Sequence, residues 1–131
     1  MKIKKSVPLM TTAKLSETKR FYCEHFGFRA TFEAENFLGL ASEDGVCELS
    51  FMPPMEGAPM KETAGLILCL EVEDVDAEHA RLEKEGVTFM QAPKDNPWGD
   101  RSAIAVDPAG VSVYIYKMIP PSPEFEKYFK E

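Results

Sequence analysis

Six side chains have the types and positions that molecular recognition uses: Glu48, Trp98, Arg101, Ser112, Tyr114 and Tyr116. Trp98 is the only tryptophan, set in the turn-rich run Asn96-Pro97-Trp98-Gly99-Asp100-Arg101, and its indole can stack on a planar or cationic group. Tyr114 and Tyr116 add ring faces and hydroxyls. Glu48 and Asp100 suit a positive charge, and a net charge of −7 raises the local concentration of cations. Each residue also has a plainer use. Trp98 can plug a junction between the halves of the chain, Arg101 can pair with Asp100 or Asp107, and Glu48 can be a buried carboxyl. Glu48 is the one catalytic candidate, through proton transfer.

These residues must be positioned by strands. From Val111 to Tyr116 the sequence alternates Ser112, Tyr114, Tyr116 with Val111, Val113, Ile115, as a strand does when one face packs on a core and the other meets water or a ligand. Val46 to Phe51 repeats the pattern, with Glu48 and Ser50 opposite Cys47, Leu49 and Phe51. Ahead of it, Ile3 to Met10 reads as a strand, and Ser16 as the cap of a helix that Gly27 ends. Arg29–Ala34 and Phe37–Ser42 read as strands, and Asp44-Gly45 as a hairpin turn. Met52 to Ala64, rich in Pro and Met, reads as a linker or flap.

The order then recurs. Gly65–Val72 is a strand, Asp74 caps a helix to Glu85 that Gly86 ends, and Val87–Ala92 and Ser102–Val106 are strands before the turn Asp107-Pro108-Ala109-Gly110. Setting Gly27 on Gly86 aligns the two hairpin turns, so the chain reads as two β-α-β-β-β units in tandem, repeat 1 over 3–51 and repeat 2 over 65–117. Residues 1–131 then form one α+β domain with a concave mixed sheet. The tail 118–131 reads as extended, with a short amphipathic helix whose Phe125, Tyr128 and Phe129 need a surface to cover.

With 131 residues, 44% of them hydrophobic and 28% charged, the chain suits one globular domain. The acidic balance argues against nucleic acid, and no apolar run approaches the roughly 20 residues of a membrane span. Cys23, Cys47 and Cys69 lack CxxC spacing and read as reduced thiols in apolar settings, which places the chain in the cytoplasm. His25 and His79 fall in the two helices and read as surface residues away from the concave face.

Taken together, Phe21-Tyr22 with Phe26-Gly27-Phe28, Glu73-Asp74-Val75-Asp76, Pro97-Trp98-Gly99-Asp100-Arg101 and the Asp107–Gly110 hairpin resemble the vicinal oxygen chelate superfamily over residues 3 to 117. That is the group of glyoxalase I, bleomycin-resistance proteins and extradiol dioxygenases. The resemblance implies four metal-ligand positions, which fall on Val7, Glu48, Leu66 and Tyr114, and only Glu48 is an ordinary ligand. It therefore points to the metal-free, bleomycin-resistance-like branch: a homodimer without cofactor that binds a planar or cationic small molecule in a cleft, with Trp98 at a cleft-lining position. A metal-dependent lyase, isomerase or dioxygenase, and a non-catalytic structural or regulatory module, are the alternatives.

Overall fold

The computed structural model describes residues 1–54 and 66–129. The element order is β1 (Leu9–Thr11), α1 (Leu15–His25), β2 (Arg29–Ala34), β3 (Phe37–Ala41), β4 (Glu48–Met52), β5 (Ile67–Glu71), α2 (Val75–Lys84), β6 (Phe89–Asn96), β7 (Asp100–Val106), β8 (Ser112–Met118) and α3 (Pro123–Glu126). Two compact units result, Met1–Ala64 with Asp107–Gly110, and Gly65–Val106 with Val111–Glu131. Their sheets have equivalent orders, β1-β4-β3-β2 and β5-β8-β7-β6. In each, the first and last strands pair in parallel and the others antiparallel, so the β-α-β-β-β repeat is real and the class is α+β.

In the first unit, Leu38, Leu40, Leu49, Phe51 and Met10 project from one sheet face against Phe21 and Tyr22 of α1. Tyr22 is fully buried, and its ring meets Phe21, Phe26, Phe28 and Phe51 at centroid distances of 5.0, 5.8, 5.4 and 5.9 Å. Its hydroxyl donates to Asp107 Oδ2 at 2.7 Å, tying the tip Asp107–Gly110 into this unit's core. In the second unit, Val75 and Leu82 of α2 meet Ala103, Ala105, Val113 and Ile115, all within 2% of full burial. Truncating Leu82 there carries a cost of about 2–5 kcal/mol.

Several boundaries move from their expected places. Strand β1 begins at Leu9 rather than Ile3, because Lys2, Lys4 and Lys5 stay in solvent and Pro8 has no N–H to give; it only accepts, from Ser50 N at 3.0 Å. Helix α1 starts at Leu15, leaving Ser16 inside the first turn; Thr12 Oγ1 instead takes the Lys14 N–H at 3.0 Å. The second helix keeps its expected cap, Asp74 Oδ1 accepting from Ala77 N. Both helices end at a glycine with positive φ, Gly27 at 68° and Gly86 at 93°. Strand β6 runs on to Asn96 through Pro93, which an edge strand with register shifts tolerates. The expected flap, Met52 to Ala64, lies from residue 55 onward outside the described residues.

Candidate functional site

The face of the second sheet opposite α2 carries the candidate site. Alternation on β8 puts Ser112, Tyr114 and Tyr116 there. The antiparallel register pairs them with Val106, Ile104 and Ser102 of β7, and the parallel one with Ile67, Cys69 and Glu71 of β5. Asp100 shares the phase of Ser102. Tyr114 Oη donates to Asp100 Oδ2 at 2.8 Å, and Asn96 Nδ2 donates to Asp100 Oδ1 at 2.7 Å and to Ser102 Oγ at 2.9 Å. Gln91 Nε2 extends the chain to Ser102 Oγ at 3.3 Å. Asp100 is only 8% exposed, so this network fixes a sequestered carboxyl group with two neutral donors.

Burial pushes the Tyr114 phenol above its ordinary range and the Asp100 bond adds to that, while hydrogen bonding with Ser102 and Trp98 pulls the other way. Trp98 thus reaches the same phenol from the turn before β7. Its indole is 46% exposed, which rules out a buried plug. The Tyr114 and Tyr116 rings lie 6.0 Å apart, tilted at 43°.

Arg101 does not join them. Its side chain lies on the face that carries α2, with Nη2 and Nε bonded to the two Asp76 oxygens at 2.7 and 2.8 Å and Nη1 to Asp95 Oδ1 at 2.9 Å. The expected rivals Asp100 and Asp107 are not its partners; the sheet separates it from Tyr114 because neighbours along a strand point to opposite faces. Those two carboxylates hold the guanidinium proton more firmly than usual.

In the first unit, Glu48 and Ser50 share the sheet face away from α1, as expected. Glu48 is half-buried and ion-paired with Lys5. The same unit holds an aromatic pair that sequence reasoning missed: exposed Phe32 and half-buried Phe37, edge to face at 5.7 Å, beside Gly39, where an added Cβ would lie 3.4 Å from that of Phe32. The even spacing of Phe37, Gly39 and Ala41 was the available signal, and the β2–β3 register sets Phe32 across from Gly39.

The four metal positions implied by the resemblance do not form a fitting donor set. Val7 and Leu66 have no donor atom on their side chains, Glu48 is engaged with Lys5, and Tyr114 keeps a proton that Asp100 holds. Among the described residues no three of His, Cys, Asp and Glu are grouped to hold a metal ion. The histidines are half-buried rather than superficial: His79 lies edge-on to Phe89 at 4.5 Å with Nε2 3.3 Å from Glu83, and His25 packs on Phe21 at 5.8 Å. The cysteines also depart from expectation. Cys23 and Cys47 are half-buried with thiols raised by burial, but Cys69 is exposed opposite Tyr114, because edge strand β5 leaves that position uncovered.

The family model described as Glyoxalase/Bleomycin resistance protein/Dioxygenase superfamily matches residues 7–115. The chain belongs to this superfamily. Among solved structures, the chain is similar to TnmS3, an antibiotic binding protein from Streptomyces sp. CB03234, at 27% identity over 90% of this chain and 98% of that one, TM-score 0.74. A glyoxalase/bleomycin resistance protein from the same Streptomyces matches at 29% identity over 84% and 98%, TM-score 0.62. A bleomycin-binding protein complexed with bleomycin shares the fold at 21% identity over 88% and 98%, TM-score 0.67. No curated protein sequence matches the chain. Among the described residues, no helix is long and apolar enough to cross a membrane.

Proposed function

We propose that this chain is a metal-independent small-molecule-binding protein, a single domain of two repeats that works as a homodimer and takes a planar or cationic ligand in a cleft lined by aromatic residues. The observation that carries the reading is the half-exposed Trp98 beside Tyr114, whose hydroxyl is fixed by a buried carboxyl group. Rings held this way bind by stacking at little ordering cost, and Asp100 and the acidic surface favour a positive charge. Tyr116 and Ser112 extend the same face, and Glu48 offers a second carboxylate in the first unit. The likeness to an antibiotic binding protein supports the ligand class. The free cysteines favour a reducing compartment, the cytoplasm.

Three measurements test this. Metal analysis of the purified protein should find no stoichiometric transition metal; one that is lost on Glu48→Ala would overturn metal independence and favour the enzymatic alternative. Titration with bleomycin and with planar cationic dyes should shift Trp98 emission, and Trp98→Ala should weaken binding by about two- to tenfold. Sedimentation should show a dimer at micromolar concentration. If none of the ligands perturbs Trp98, the binding role fails and a structural module is favoured.

A further inference from the structure

The C-terminal tail does more than cover surface. It leaves β8 at Met118, which pairs with Asp100, and turns back over the run Asn96–Gly99 that bears Trp98. Ile119 N donates to Gly99 O at 2.9 Å, and Ser122 N and Oγ donate to Pro97 O at 2.8 and 3.1 Å. Gly99 has φ of 112°, where L side chains are strained, and an added Cβ would lie 3.2 Å from Ile119 O, 3.3 Å from Pro121 Cβ and 3.5 Å from Phe129 Cζ. The Trp98 turn is therefore held between the Asn96–Asp100–Tyr114 network on one side and the tail on the other. Phe129, 55% exposed, is brought beside that turn and left half uncovered, as Trp98 is. Two half-exposed aromatic rings thus belong to one turn and the tail that closes on it, and a flat ligand is the kind of molecule such rings can cover.

We propose that the segment Ile119–Phe129 is a specificity element of the ligand site: it locks the Trp98 turn and supplies Phe129 as a second ring, so that planar ligands are favoured over non-planar ones of like charge. This rests on the binding function proposed above. The test uses full-length protein, the planar cation proflavine and the non-planar cation spermidine, with acrylamide quenching of Trp98, the sole tryptophan, as a readout that needs no ligand. Phe129→Ala should raise quenching and weaken proflavine by about two- to tenfold, leaving spermidine affinity and the melting temperature unchanged. Gly99→Ala, which displaces the tail directly, should do the same more strongly, and Phe129→Ala decides the matter if that variant fails to fold. Proflavine binding by Phe129→Ala equal to wild type, or an equal loss of both cations with a lower melting temperature, overturns the specificity role alone. Binding of neither cation by the wild type refutes the binding function, and the specificity role with it.

Discussion

Replacing Tyr114 by Phe removes one oxygen and keeps the ring, which separates anchoring from stacking. The lost bond is 2.8 Å long and ends on Asp100, a carboxyl group only 8% exposed that keeps Asn96 as its remaining donor. A hydrogen bond to a charged group contributes about 1.5–3 kcal/mol, and because Tyr114 is only half-buried the lower part, about 1.5–2 kcal/mol, is expected. For a domain of this size that is a fall of about 4–8 °C in melting temperature. Urea unfolding at pH 7 measures it directly. The pH dependence carries a sign. Burial and Asp100 raise the folded phenol above 10.0, so on going alkaline the unfolded chain ionises first. The stabilisation from this group is whole below about pH 10 and is lost as pH rises through the folded value, so the gap between wild type and variant should narrow above pH 10. Affinity for a planar ligand should change less than about twofold, since the ring face remains. A variant as stable as wild type at pH 7 would refute the anchored-network account.

Tyr22→Phe should cost more, about 1.5–3 kcal/mol in urea unfolding, because Tyr22 and Asp107 are both buried around their 2.7 Å bond. Burial and Asp107 raise the Tyr22 hydroxyl far above its ordinary range, so this variant should also show a shallower loss of stability above pH 10 than wild type. Arg101→Ala should leave ligand affinity unaltered in the same titrations, since its guanidinium serves Asp76 and Asp95 on the helix face; a large loss would move the site to that face. Thiol labelling followed by mass spectrometry should modify Cys69 before Cys23 and Cys47, and a bound ligand should slow it, because Cys69 is exposed directly across from Tyr114.

Local signals carried much of the fold. Asp74 before Val75, the glycines at 27 and 86 and the alternation through Tyr114 are read within a few residues, and each depends on backbone rules that act at that range. The tandem repeat followed from their spacing, and with it the equivalent sheets. The strand face of Tyr114, Ser112, Tyr116 and Glu48 was legible, because one strand's phase suffices for it. The partners of Arg101, Asp76 and Asp95, were not foreseen, although the alternation of Asp100, Ser102 and Ile104 against Ala103 and Ala105 assigns its face.

By itself the sequence determined the element types, their two-fold order and which side of each last strand is polar. Only the tertiary structure decided which polar groups meet. The Asn96–Asp100–Tyr114 network, the bond from Tyr22 to Asp107 85 residues away and the closure of the tail on Gly99 all join residues through sheet register and chain return. Such contacts depend on where strands pair and loops end, which no local pattern encodes, and it is they that set the half-exposed Trp98 beside Tyr114.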